Sequence, residues 1–457
     1  MDRPAAQASS VAGGRPRPVR NELAELLKLS GPVVISRLGI MAMGLSDAIV
    51  VGRYSATQLG YHALGWAPSS VIVTMAIGLL SGVQVMTARA IGEGRRHETG
   101  AVLRRGLAYS LWIGLVSAVV LAVGGPPFLH AIGLEPSLAN GASRVLLVFC
   151  LSLPGYAISV SASFWMEGLS RPGPGAWAMW IANGINLALD LILVPGHFGL
   201  PALGAIGGAC ATTGARTFLA VFMLAYIALM PEARALGVFE KPQRDRAAEA
   251  EQRRIGFGAG ASNFFEVAAF ASMNLIAGWM GGFAVAAWTV VINVAAVIFM
   301  VPLGLATGAA VRVGRAYGAR DPAGVVRAGL VAFAVTGVFG VLVSLAVWPE
   351  AALIASAYTN NPATLAMAVP ALALSALMYF PDSLQVVVAQ SLRARGDVWL
   401  PTGTHLTSYI AVMMPLAWWL AIPRGMGVMG MAWAVVLASV VSAALLLFRF
   451  WRLSLRD

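Results

Sequence analysis

Four carboxylates sit where carboxylates are rarely left. Asp47, Asp190, Glu266 and Asp382 each fall well inside a long apolar run, whereas most of the twenty acidic residues lie in polar connections. An acid in a bilayer core costs at least about 2.5 kcal/mol, so one that persists there works or has a partner. Amides and hydroxyls accompany these acids at helical spacing. Asn183, Asn186 and Asp190 fall at i, i+3 and i+7; Asn263, Glu266 and Asn274 share one helical face, and Ser375, Asp382 and Gln385 another. Lipid offers no hydrogen bonds, so such stripes turn toward protein or water. Interhelical hydrogen bonding explains the Asn and Ser residues as readily as function does. The four carboxylates point to cation exchange. Desolvation favours a neutral carboxyl that can carry a proton, while two carboxylates with amide and carbonyl oxygens can instead hold Na⁺. Either ion competes with a cationic substrate for the same charge. Exclusive occupancy, in a protein that opens to one side at a time, is antiport. Glu167 lies at the end of its run and is expected to be solvated.

Positioning these acids takes membrane-spanning helices. Of 457 residues, 58% are hydrophobic and 11% charged, against roughly 25% charged in a soluble domain, so most of the outer surface must face lipid. Apolar runs between Arg-rich or Gly/Pro/Asn breaks predict helices near 31–53, 64–88, 100–124, 142–167, 174–196 and 204–230. A second set is predicted near 254–281, 283–311, 323–348, 364–392, 398–421 and 425–451. The expected fold is an all-α polytopic membrane protein with twelve transmembrane helices in two six-helix lobes related by a pseudo-twofold axis. Residues 1–20 form a cytoplasmic tail that is not a signal peptide, 21–230 an N-lobe, 231–253 a linker, 254–452 a C-lobe and 453–457 a second tail. With these spans, 26 Lys and Arg fall on one side and 3 (Arg53, Arg144, Arg424) on the other, leaving Arg37 and Arg216 inside spans. Cytoplasmic loops accumulate Lys and Arg, which places both termini and the linker in the cytoplasm and the protein in the inner (plasma) membrane.

The two sets repeat. At an offset of 226, Gly82, Val85, Arg89, Ala90 and Gly92 meet Gly308, Val311, Arg315, Ala316 and Gly318. At an offset of 223, Gly168, Leu169 and Gly173 meet Ser391, Leu392 and Gly396, and Gly204, Gly207 and Ala209 meet Gly427, Gly430 and Ala432. Six helices per copy is an even number, so both copies enter from the same side and the axis runs along the membrane normal. Prolines at 154, 302, 370 and 381 would kink their helices, and Pro32 suits a first helical turn.

Ordered along the chain, Gly44-Leu45-Ser46-Asp47 with Val51-Gly52, Phe265-Glu266, Phe299 to Gly304 with Arg312-Val313-Gly314, and Asp382 with Gln385 and Ser391-Leu392-Arg393 resemble the MATE (multidrug and toxic compound extrusion) family, its NorM-like branch in particular. The resemblance runs from Glu22 to about Arg452. It implies H⁺- or Na⁺-coupled export of hydrophobic, often cationic, drug-like compounds through a cleft between the lobes, by alternating access. NorM-like members bind the cation in the second lobe, which carries over to Glu266 and Asp382 as the site of a proton or of Na⁺. Another branch binds it in the first lobe, matched here by Pro32 as a helix-bending residue and by Asp47, Asn186 and Asp190. Both sets are present, so the resemblance leaves the lobe and the ion open. Two departures stand out: Gly258 replaces the proline expected eight residues before Glu266, and Thr289 replaces a glutamine common in helix 8, with Asn293 kept.

Other classes fit less well. Cys150 and Cys210 lie in apolar segments, which excludes a disulfide framework. No paired His with metal spacing, nucleophile elbow or phosphate loop argues for an enzyme, and no cofactor is expected. The net charge of +11 sits on loops at one side rather than on a nucleic-acid surface. Two intramembrane cations are few for a lipid-linked sugar flippase, and ARAIGEGRRH lacks the Asp-Arg arrangement of a major-facilitator protein. The expected partners are small organic substrates and the bilayer, with the protein acting as a monomer.

Overall fold

A backbone surrounded by lipid can satisfy its own N–H and C=O groups only as helix or closed barrel, and here the apolar runs become helices. The computed structural model describes residues 19–241 and 245–455; the expected first tail lies outside them except for its last two positions. Twelve helices follow in order: α1 Val19–Tyr54, α2 Ala56–Gly92, α3 Thr99–Ala131, α4 Pro136–Gly168, α5 Gly173–Leu193, α6 Ala205–Leu229, α7 Arg246–Met280, α8 Gly282–Gly318 and α9 Pro322–Tyr358. Next come α10 (Pro362–Ser375, a tight turn Ala376–Met378, then Tyr379–Ala394), α11 (Trp399–His405, a π segment Leu406–Met413, then Met414–Ala421) and α12 Val428–Ser454. Starts are punctuated as physics requires. Asp321-Pro322 and Asn361-Pro362 each combine a capping side chain with a first-turn proline, and Asp245 caps α7.

Two boundaries that bear on the expected elements differ from expectation. The first helix begins at 19 rather than 31, so Pro32 lies in its interior and not in its first turn. The seventh begins at 246, which takes the last third of the expected linker into helix. Residues 231–241 of the linker pack against α3: Gly100 N–H donates to the Leu236 carbonyl (2.8 Å) and Arg104 to that of Val238 (3.1 Å). Ten helices are apolar and long enough to cross a membrane on composition alone; the exceptions are α7 and α11. Charged residues open α7, and it carries Asn263, Glu266 and Asn274, while a π segment interrupts α11 ahead of Pro415.

Each lobe has its own core. One cluster, from Met43 to Leu236, lies wholly in α1–α6 and the linker; another, from Ala269 to Ala438, lies wholly in α7–α12. The lobes meet where α2 packs on α7 and α1 on α8, and the contacts come in pairs related by 226 residues. A Cβ on Gly92 would overlap the Arg315 carbonyl, and one on Gly318 the Arg89 carbonyl. Gly78 lies against Gly260 as Gly304 lies against Val34. Small residues let these backbones touch. Cap geometry repeats as well: Gly94 and Arg320, Ser170 and Gly396, and Gly204 and Gly427 all have positive φ. The first two pairs are 226 apart and the third 223. Gly168 therefore corresponds to Ala394, each ending its helix, rather than to Ser391 as the sequence pairing suggested.

All described hydrogen bonds and ion pairs between the lobes lie from the middle of the bundle to its end nearer the linker, which we term the basic end. Arg89 donates to the carbonyls of Ala394 (3.0 Å) and Arg393 (3.2 Å) and pairs with Glu251. Arg315 donates to the Gly168 carbonyl (3.3 Å), Asn263 to that of Thr74 (3.0 Å), and Glu22 pairs with Arg312. Toward the other end the lobes part. The α8 stripe through Gly308 and Gly304 is buried, but its continuation through Val297, Asn293 and Thr289 is exposed. Four arginines assigned to loops are thus buried: Arg89, Arg312, Arg393 and Arg395 are packed inside the basic end, where their charge holds helices together. Arg312→Met, which strands the buried Glu22 carboxylate, is expected to cost about 3–5 kcal/mol of stability. Glu22→Met/Arg312→Met should recover most of it, as read by thermal unfolding in detergent.

Candidate functional site

Both lobes bury an acid cluster. In the N-lobe, Asp47 of α1 is 3% exposed and accepts a hydrogen bond from Thr212 of α6 at 2.6 Å. Asp190 of α5 lies within reach of the Asp47 carboxyl. No donor reaches Asp47 Oδ1 or either oxygen of Asp190. Two carboxyls so placed can share a single proton. Asn186, one turn before Asp190, accepts from Ser46 (3.3 Å) and leaves its own Nδ2 without a partner. Asn183 instead ties α5 to α1 by donating to the Gly39 carbonyl (3.0 Å). The i, i+3, i+7 stripe thus faces α1. Pro32 lies on the same helix as Asp47, fifteen residues toward the basic end, outside this cluster.

In the C-lobe, Glu266 of α7 and Asp382 of α10 are half-buried and close enough to interact electrostatically. Asp382 accepts from Ser439 of α12 at 3.3 Å. Gln385, one turn on, donates to the hydroxyl of Tyr409 (3.1 Å), a wholly buried side chain in the π segment of α11. Such segments recur at functional sites because they shift side chains out of helical register. Arg393, 3% exposed, faces Glu266 and donates to Ser262 (2.7 Å) and Gln390 (3.0 Å). His405 stacks edge-on against Tyr409 with both ring nitrogens unpartnered. Gly258 has a packing role in place of the expected proline: its carbonyl accepts from Thr402 (2.8 Å), where α11 crosses closely.

The structure therefore joins Glu266, Asp382 and Gln385 in one cluster and Asp47, Asp190 and Asn186 in the other. Other residues of the expected stripes fall outside both clusters. Asn263 bridges the lobes, Asn293 and Thr289 line the opening between them, and Ser375 bonds Tyr379 (3.2 Å) across the tight turn that separates it from Asp382. Glu167 is not solvated; it is buried, accepts from Gln84 at 2.6 Å and lies 4.0 Å from Arg37. Sequence reasoning missed Arg393, counted as a loop residue, and left His62, His405 and Tyr409 unassigned. His62 is buried with Nε2 3.9 Å from Asp47 Oδ2. The spacing of His405 and Tyr409, i and i+4 within an apolar run, was the available signal.

Comparison with known proteins agrees with this architecture. A family model described as MatE matches residues 32–192 and 259–419, once in each lobe. A probable multidrug resistance protein NorM of Caulobacter vibrioides is 62% identical over 453 residues, covering 99% of this chain and 96% of the relative. Multidrug resistance protein PmpM of Pseudomonas aeruginosa is 30% identical, covering 94% and 91%. Among solved structures, the eukaryotic MATE transporter AtDTX14 superposes with a TM-score of 0.86 at 18% identity, over 95% of this chain and 96% of that one. A multidrug resistance MATE family transporter in an outward-facing conformation gives 0.88 at 19%, over 96% and 99%.

Proposed function

Because the chain belongs to the MatE family, we propose that it is a multidrug efflux transporter of the membrane, and that it expels organic cations in exchange for protons bound at Glu266 and Asp382. The observation that carries this is the pair of half-buried acids in the C-lobe, with the buried guanidinium of Arg393 near one of them, Glu266. Arg393 lies close enough to Glu266 to interact with it electrostatically. A bare Na⁺ entering the cluster would meet that guanidinium, whereas a proton landing on a carboxyl would not. The basic end, rich in Arg, faces the cytoplasm, so the parted end of the bundle opens outward. A proton arriving from outside displaces the cationic substrate, and the neutralised cluster lets the lobes close outward and open inward.

The cation count argues against a flippase of lipid-linked sugars. Arg37 is drawn to Glu167 and Arg393 to Glu266, which leaves few intramembrane cations for a phosphate.

Proteoliposomes test the reading directly. An imposed pH gradient is expected to drive accumulation of tetraphenylphosphonium against its concentration. A Na⁺ gradient of the same size, at equal pH on both sides, should leave accumulation at the level of protein-free vesicles. Transport driven by Na⁺ alone would sink proton coupling; transport driven by neither would sink exchange.

A further inference from the structure

In an exchange cycle, a proton bound in the C-lobe must act on the end of the bundle where the lobes are locked together. Arg393, in the last turn of α10, touches both places. Its guanidinium donates to Ser262 of α7 (2.7 Å) and to Gln390 (3.0 Å). Ser262 and Glu266 are i and i+4 on α7, which sets the guanidinium about one turn from the Glu266 carboxyl, within reach of its charge. At the same helix end, the carbonyls of Arg393 and Ala394 accept from Arg89 of the N-lobe (3.2 and 3.0 Å). One residue thus has its side chain beside a coupling acid and its backbone in the interlobe lock.

The internal repeat shows that this double placement belongs to the C-lobe. At the offset of 226, Arg315 is the copy of Arg89, Gly168 of Ala394 and Glu167 of Arg393. Arg315 caps the end of α4 through the Gly168 carbonyl (3.3 Å), as Arg89 caps α10. The side chain next to that cap is an acid, and its described partners are Gln84 and Arg37 rather than Asp47 or Asp190. The caps match; only the C-lobe copy adjoins the acid pair of its own lobe.

We propose that Arg393 is a positioning residue that transmits the charge state of Glu266 to the basic end, through the two carbonyls that Arg89 holds. This deepens the exchange reading and rests on it. With Glu266 ionised, its charge offsets the buried guanidinium, and the last turn of α10 stays where Arg89 can cap it. A proton on Glu266 withdraws that compensation from a side chain only 3% exposed. Keeping the cation away from water then costs more, so opening the basic end to water costs less. Proton binding therefore favours inward opening. The other titratable groups around this cluster are Asp382, eleven residues earlier on α10, and His405 and Tyr409 of α11, while Arg89 pairs with Glu251.

Spin labels on the loops joining α1 to α2 and α7 to α8 of the full-length protein, in lipid nanodiscs, read the balance between outer loops together and outer loops parted. Moving the native protein from alkaline to acid buffer is expected to raise that ratio about tenfold, the order set by one unit charge nearby at an effective dielectric of about 20. Glu266→Gln should hold the ratio at its acid value in both buffers, which identifies the acid being read. Arg393→Met should make the ratio nearly the same in both; Arg393→Lys should keep the response. Arg89→Gln, which breaks the two carbonyl bonds, should also remove the response, whereas Glu251→Gln, which spares them, should not. A merely structural Arg393 would shift the ratio by one factor in both buffers and leave the response intact, and that result overturns the proposal. So does a response that survives Glu266→Gln, or a full response in Arg89→Gln, the latter even if Arg393→Met fails to fold. Tetraphenylphosphonium accumulation by the native protein under a pH gradient separates the two readings. Its absence would overturn exchange itself; accumulation alongside a failed transmission test overturns only the role of Arg393.

Discussion

Replacing Glu266 by Gln or Asp382 by Asn is expected to abolish drug efflux while leaving the protein folded and in the membrane. Each substitution keeps the shape and removes the charge. Both side chains are half-buried, so neither is a keystone of packing, and the neutral amide spares the lobe a desolvated charge. What is lost is the difference between occupied and empty states. A ligand moves a conformational equilibrium only by its differential affinity for the two conformations, and an amide binds a proton in neither. Losing one member of a close charge cluster typically costs about 2–5 kcal/mol, roughly 30-fold to several-thousand-fold in occupancy. Resistance conferred on a pump-deficient host should fall to the level of the empty vector, with membrane expression unchanged. The variants should differ in one respect. Glu266→Gln removes the carboxylate charge nearest to buried Arg393, which keeps its bonds to Ser262 and Gln390, and should lower thermal stability slightly. Asp382 is held by Ser439 and should cost less. Native resistance in both variants would move coupling to Asp47 and Asp190.

Much of this was legible in the sequence, for a physical reason. Charge in lipid is so expensive that Asp47, Asp190, Glu266 and Asp382 announce themselves by position alone, and helix count follows from the same rule. The i, i+3, i+7 spacing of Asn183, Asn186 and Asp190 gave the face of α5 that meets α1. The missing parts lie where local pattern says little about tertiary surroundings. Arg89, Arg312 and Arg393 read as loop residues because they sit at helix ends next to other arginines, yet lobe packing buries them. Glu167 reads as solvated for the same reason. A tighter turn of three residues, just ahead of Pro381, interrupts the helix between Ser375 and Asp382, and no local spacing announces it. His62 and His405 carried no motif; only folding brings the first to Asp47 and the second to Tyr409.

Gly92→Val and Gly318→Val should each prevent the lobes from closing at the basic end, and by nearly the same amount. The reason is the internal repeat made physical. Gly92 rests on the Arg315 carbonyl and Gly318 on the Arg89 carbonyl, two copies of one contact 226 residues apart. Neither obstacle is a flexible side chain that could swing aside, so an added side chain must push a helix backbone away. Overpacking of this kind costs about 1–3 kcal/mol, which shifts a two-state lobe equilibrium about fivefold to 150-fold. The first valine would already separate the helix ends that the second would wedge, so the double variant should cost less than the sum of the two. Gly124→Val is the control, because no atom lies within 4 Å of where its Cβ would stand. Spin labels on the loops joining α1 to α2 and α7 to α8 would report the outcome. In the native protein their separation should be dominated by the parted arrangement; in either valine variant the shorter distance should become the major population, and in the control it should not. Unequal effects of the two valines would mean that the lobes do not move about the axis their glycines define.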